Sequence, residues 1–233
     1  MRLPPILMTD QLITYELDNG LRVYLKEIHT APIISHWVWY RVGSRNEHAG
    51  NTGISHWVEH LQFKGTAKFP PSKLDRLISR LGGQWNAFTH MDWTTYFETL
   101  PAKDLDIALE LEADRMVNSQ YDPDEVEHER TVVISEREGA ENNPMFLLGE
   151  AVQLAAIQTH PYRHEIGGFK EDLYRISRDE LFQHYQQYYQ PANASICISG
   201  DFRAEEVLEK ISAYYEHIPA KPIEHLQLAA EPD

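Results

Sequence analysis

Residues 13–27 read ITYELDNGLRVYLKE, two alternating runs joined at Asp18-Asn19-Gly20. Alternation of apolar and polar side chains suits a half-buried strand, and Asn-Gly supplies the positive φ that a tight hairpin turn needs. The chain therefore opens on an antiparallel pair and not on a strand–helix crossover. Outward from there, IISHWVWYRVGS (33–44) reads as a third strand, rich in aromatic and β-branched residues. GQWNAFTHMDWTTYFETLP (83–101) reads as two more strands turning near Met91-Asp92 and stopped by Pro101, and ASICISG (194–200) as another. Between them lie helical stretches. One is capped by Thr52 and stops at Gly65; others span Ser72–Leu81 and the amphipathic Lys103–Asn118. A further helix opens at Asp122-Pro123-Asp124-Glu125 and runs to about Gly139, with an Asp cap, Pro at its first position and acids in its first turn. Three more follow at 144–159, 177–189 and 204–217. Strands grouped by short turns and covered by helices predict an α+β fold, a mainly antiparallel β-sheet layered with α-helices. The tail PAKPIEHLQLAAEPD (219–233), with three prolines, reads as a linker after a folded unit at 1–218.

Composition narrows the function. The 233 residues hold 21 Lys+Arg against 36 Asp+Glu, a formal charge of −15. Such a balance argues against nucleic acid as a partner, since phosphates need a basic surface. Cys197 is the single cysteine, so neither an internal disulfide nor a thiolate-rich metal site can form; its apolar run suits a buried thiol. No stretch approaches the roughly 20 apolar residues of a membrane span. MRLPPILMTDQ at the start lacks a leader's apolar core and cleavage site. A cytoplasmic location is the expectation, or a periplasmic one if a leader has been removed.

The chemistry concentrates in GISHWVEHLQFKGT (53–66). On a helix His56 and His60 stand one turn apart, about 6 Å along the axis, a span at which two imidazoles share a zinc ion. Glu59 lies beside them, within reach of a water whose pKa the metal lowers to about 7. The order H-x-x-E-H is the inverse of H-E-x-x-H. With 12 histidines in the chain, the pair alone carries little weight. Trp57, Val58, Leu61 and Phe63 change that, because a largely apolar helix is buried, and buried His, Glu and His need a reason. A catalytic zinc needs a third protein ligand. Glu125, Glu129 and Glu136 form one stripe on the helix opened by Asp122, with Val132 and Val133 between the last two. Pairing of these acids with Arg130 or Arg137 explains the stripe equally well, and spacing does not order them. Glu136 as ligand with Glu129 in support is the expectation.

These segments together resemble the M16 metallopeptidases, the family of pitrilysin, insulin-degrading enzyme and the mitochondrial processing peptidase. The resemblance covers nearly the whole chain: LDNGLRVYL (17–25), VGSRNE (42–47), the zinc-helix block 53–66, GGQWNAFTHMDWTTYFETLP (82–101), HPYRHEIGG (160–168) and YYQPANASICISGDF (188–202) stand in the family's order. It implies a LuxS/processing-peptidase-like metallohydrolase fold and an endopeptidase acting on short or unfolded peptides. Zn2+ would be held by His56, His60 and Glu136, with Glu59 as general base and Glu129 in support. Asn86 and Ala87 would lie on the strand that takes the substrate backbone as an added strand. Phe63 would line the pocket just after the scissile bond. His160 and His164 fall in a block without a metal role in the family and read as structural.

Departures are small: Trp57 and Gln62 replace more typical residues, and Asn142-Asn143 precedes Pro144 where an acid often stands. They bear on subsite preference. Length is the larger departure, because family chains usually carry two homologous halves around the substrate. The resemblance thus implies a homologous second half as partner, in the same longer chain or as a separate subunit. A non-catalytic scaffold subunit is the alternative, although His56, Glu59, His60 and Glu136 are all intact. A thioether-cleaving hydrolase such as S-ribosylhomocysteine lyase would need a catalytic cysteine near the metal helix, and there is none.

Overall fold

The computed structural model describes residues 12–223 and 230–232. The leader reading on residues 1–11, and the tail reading over 224–229 and 233, lie outside the described residues. Among these residues six strands form one sheet: β1 (Ile13–Glu16), β2 (Arg22–Glu27), β3 (Ile33–Tyr40), β4 (Gln84–Thr89), β5 (Thr94–Pro101) and β6 (Ala194–Gly200). Their order is β1-β2-β6-β3-β5-β4. Every neighbouring pair is antiparallel except β2–β6, which runs parallel with Val23 opposite Ile196. The sheet is mixed but mainly antiparallel, as the short turns predicted. Gly20 turns the first hairpin at φ 83°, and the Asn19 amide donates to Tyr215 O and Ile218 O at 2.8 and 3.0 Å. That ties the hairpin turn to the far end of the chain.

Among the described residues eight α-helices accompany the sheet: α1 (Ile54–Gln62), α2 (Pro71–Arg80), α3 (Leu105–Asn118), α4 (Pro123–Glu141), α5 (Pro144–Ala156), α6 (Lys170–Leu173), α7 (Arg178–Tyr188) and α8 (Ala204–Tyr215). Alternation decides the buried face. Val23, Leu25, Ile34, Val38, Tyr96, Leu100, Ile196 and Ile198 are all buried in the core. Trp37 and Trp39 point the other way, where Trp37 stacks on Phe97 at 4.3 Å between ring centroids and Trp39 meets Trp93 edge-on at 4.8 Å. Within the core, the buried His36 Nδ1 lies 2.8 Å from Glu98 Oε2, and Arg115 pairs with Glu112 and stands 4.1 Å from the Tyr96 ring. Among the described residues no helix is long and apolar enough to cross a membrane.

Several helix boundaries differ from the sequence reading by up to three residues. The helix expected to run from Thr52 to Gly65 spans only Ile54–Gln62, and Thr52 does not cap it. Its hydroxyl instead donates to Asp172 Oδ2 at 2.6 Å, a partner 120 residues away that no local pattern reveals. The helix expected to reach Thr159 stops at Ala156.

Candidate metal and peptide site

Ile54, Trp57, Val58 and Leu61 follow the i, i+3, i+4, i+7 pattern that buries one helix face, and all four are buried. That anchoring turns His56 and His60 toward α4, leaving both half-buried. Helix α4 begins where the Asp122 carboxylate accepts the Asp124 and Glu125 N–H groups. Val126 and Val133 pin it to the core at 0 and 3% exposure. Glu136 projects from it toward the histidines.

Three donor atoms converge. His56 Nε2 and His60 Nε2 are 3.3 Å apart, and Glu136 Oε2 lies 3.8 Å from the first and 3.5 Å from the second. A tetrahedral site with metal–ligand bonds of about 2.0–2.1 Å has edges of about 3.3 Å, so the triangle fits a zinc ion with one vertex left open. Among the described residues these three form the one cluster of potential metal-ligating side chains.

The surrounding electrostatics suit that use. His60 Nδ1 lies 3.0 Å from Glu129 Oε2; an ionised carboxylate can only accept, so Nδ1 carries a proton, and in the neutral ring the lone pair is on Nε2. Lys64 Nζ holds the other Glu129 oxygen at 2.6 Å. Burial would raise Glu129, but the His60 and Lys64 bonds outweigh it and bring the carboxyl down to about 2. Burial, with the nearby His60, lowers His56 to about 4, so its imidazole is neutral as a ligand must be. For His60 burial pulls downward, yet Glu129, Glu136 and Glu59 together leave it raised. Glu125 turns to Lys64, 3.4 Å away. The acidic stripe thus divides into one carboxylate at the histidine Nε2 atoms, one behind His60 and one on a lysine.

Glu59 is 7% exposed. Its Oε2 accepts the Thr89 hydroxyl at 2.6 Å, and burial raises its carboxyl against that bond. Thr89 closes β4, the edge strand. A cleft of about 390 Å³ lies here, walled by His56, Glu59 and Glu136, by Ala87, Phe88 and Thr89 of β4, and by Val133, Arg137, Ala140, Phe146 and Glu165–Gly167. Asn86 stands beside it, its Oδ1 accepting the Ala87 N–H at 2.9 Å. This N–H is therefore turned away from β5, and the neighbouring side chain occupies it. Phe63 does not wall the cleft; its ring packs on Trp85 at 4.7 Å.

His160 and His164 stay outside the triangle. His160 caps a short turn by accepting the Tyr162 N–H, and the buried His164 lies 3.7 Å from Glu47. Sequence reasoning passed over Thr89, Phe88 and Phe146, although the first two sit in the quoted 82–101 block. Phe146 carried no signal beyond being apolar. Cys197 is only half-buried, and burial raises its thiol.

An α+β layer whose edge strand meets an H-x-x-E-H helix and a facing carboxylate defines a metallopeptidase class. Residues 22–168 match the description "Insulinase (Peptidase family M16)", and residues 175–233 match "Peptidase M16 inactive domain". The chain belongs to peptidase family M16. The two matched stretches share one sheet, since β6 from the second lies between β2 and β3 of the first. The chain is 35% identical over 204 residues to the zinc protease PqqE of Helicobacter pylori, covering 87% of this chain and 46% of that protein. It is 28% identical over 200 residues to cytochrome b-c1 complex subunit 1 of Bos taurus, covering 86% and 42%. The crystal structure of a protease from Helicobacter pylori superposes with a TM-score of 0.91 at 33% identity, covering 95% of this chain and 54% of that one. The chain thus spans about half the length of the relatives it matches.

Proposed function

We propose that this chain is the zinc-bearing half of an M16 endopeptidase that hydrolyses short or unfolded peptides. The observation that carries the reading is the triangle of His56, His60 and Glu136 donors beside Glu59, at the open edge of the sheet. Bound zinc would lower the pKa of water and polarise the scissile carbonyl. His56, His60 and Glu136 would hold it, and Glu129 fixes the His60 tautomer. Glu59 takes the proton of the attacking water, and burial keeps its basicity above that of an exposed carboxylate. A peptide adds to the edge of β4 by main-chain bonds, displacing the Asn86 oxygen from the Ala87 N–H.

A second, homologous half completes the grip on the substrate, as the half-length coverage of the relatives suggests. A zinc-bearing unit at 1–218 followed by a tail at 219–233 is the proposed division, and within the described part of the tail the Lys221 N–H donates to Gln190 Oε1 and Glu231 accepts the Gln158 and Thr159 N–H groups at 2.7 and 2.9 Å. The cytoplasm is the proposed compartment, or the periplasm if a leader is removed. The cytochrome b-c1 relative favours a second reading, a non-catalytic partner subunit, against which the intact motif weighs. Glu59→Gln separates the two when the second half is supplied. The variant should keep zinc and lose hydrolysis of a fluorogenic peptide. Cleavage at the parental rate removes Glu59 from its role, and a parent that binds zinc without cleaving supports the scaffold reading.

A further inference from the structure

Helix α1 begins without a cap of its own. Gly53 stands at its N-cap with φ 88° and offers no side chain, although the first N–H groups of a helix need acceptors. Glu47 provides them from outside the helix. Its Oε2 accepts the Gly53 N–H at 2.8 Å and its Oε1 the Ser55 N–H at 2.9 Å. The residue is fully buried, and its charge lies at the positive end of the helix dipole. Among the described residues no lysine or arginine pairs with it and His164 Nδ1 lies 3.7 Å away, while burial pushes the carboxyl up to about 7 against those N–H bonds.

The segment carrying Glu47 also grips the edge hairpin. The Arg45 and Ser44 N–H groups donate to Met91 O and His90 O at 2.8 and 3.3 Å, and a Cβ on Gly43 would collide with the His90 carbonyl. Opposite, Asp172 Oδ2 accepts from the Thr52 and Gly50 N–H groups at 3.1 and 3.2 Å, holding the loop that enters α1. Glu47 therefore sits between the hairpin that bears Ala87 and Thr89 and the helix that bears His56, Glu59 and His60.

We infer that Glu47 is a positioning residue, which seats α1 against the edge hairpin so that the metal-ligand triangle closes and Glu59 meets Thr89. The inference rests on the zinc-peptidase reading. Its alternative is that Glu47 only stabilises the core, as the equally buried Glu98 does beside His36 and Arg115. The full chain tests it by comparing Glu47→Gln with Glu98→Gln. Zinc affinity is measured by chelator competition and backbone exchange by hydrogen–deuterium labelling. Glu47→Gln should weaken zinc about tenfold and speed exchange at the amides of residues 53–57 about tenfold. Glu98→Gln should lower stability and change neither. Parental zinc affinity in Glu47→Gln, or equal losses in both variants, overturns the inference. If Glu47→Gln does not fold, the parent decides. Gly53 and Ser55 amides as protected as those of β3 support the role, and unprotected ones overturn it. A parent that binds no zinc defeats the functional reading, while the exchange comparison still decides the seating.

Discussion

Glu129 stands behind His60, its Oε2 3.0 Å from Nδ1, while Glu136 approaches the opposite ring nitrogen at 3.5 Å. One ring is thus bracketed by two carboxylates from the same helix. Replacing a carboxylate behind a ligating histidine typically costs 10–100-fold in metal affinity. Glu129→Gln should therefore weaken zinc by about that factor and leave the stoichiometry at saturation unchanged. Chelator competition measures it, and unaltered affinity would remove Glu129 from the site.

Thr89 offers a test of the base. Thr89→Val removes the hydroxyl that Glu59 Oε2 accepts at 2.6 Å while keeping the β-branched shape. Zinc content should stay as in the parent, and kcat/KM for a fluorogenic peptide should fall about tenfold, the effect of roughly 1.4 kcal/mol. A fall in zinc content instead would mean that Thr89 acts through the ligands.

Gly168 tests the packing under α1. It holds φ 69°, and a Cβ there would strike the Thr52 carbonyl. Gly168→Ala should cost about 1–3 kcal/mol in urea unfolding, with the loss concentrated in the loop leading to α1. A stability within 0.5 kcal/mol of the parent, about the scatter of a neutral surface change, would contradict the packing described.

Acid sensitivity follows from His184, a buried residue whose Nε2 lies 3.2 Å from Ser55 Oγ. Burial, helped by His48, lowers it from 6.5 to about 3. The unfolded chain therefore binds a proton below pH 6.5 that the folded chain refuses until about pH 3. Its part of the stability is intact above pH 6.5 and declines as pH falls, by about 2–3 kcal/mol between pH 6.5 and 4.5. The slope of unfolding free energy against pH over that window should drop by about one proton in His184→Gln. An unchanged slope would mean that His184 titrates alike in both states.

Much of this was legible locally. The Asn19-Gly20 turn, the Asp122-Pro123 helix start and the alternation in 194–200 each declare themselves within a few residues, so their elements could be placed. H-x-x-E-H is also a local pattern. Long-range competition for hydrogen bonds was hidden. Thr52 has the chemistry of a cap, but Asp172 takes its hydroxyl and Glu47 does the capping. The stripe Glu125, Glu129 and Glu136 shares one face at every spacing rule. It separates only in three dimensions, where Lys64 draws Glu125 and Glu129 and Glu136 alone faces the Nε2 atoms. The parallel β2–β6 pair was equally illegible, because it joins residues as far apart in sequence as Val23 and Ile196.

The central claim is that His56, His60 and Glu136 bind one zinc ion. Zinc content per chain, measured on the parent and on Glu136→Ala after dialysis against a weak chelator, tests it most directly. About one zinc per parent chain is expected and far less in Glu136→Ala, since a catalytic zinc needs three protein ligands. A parent without zinc, or a Glu136→Ala variant that retains it in full, would rule out the three-ligand site.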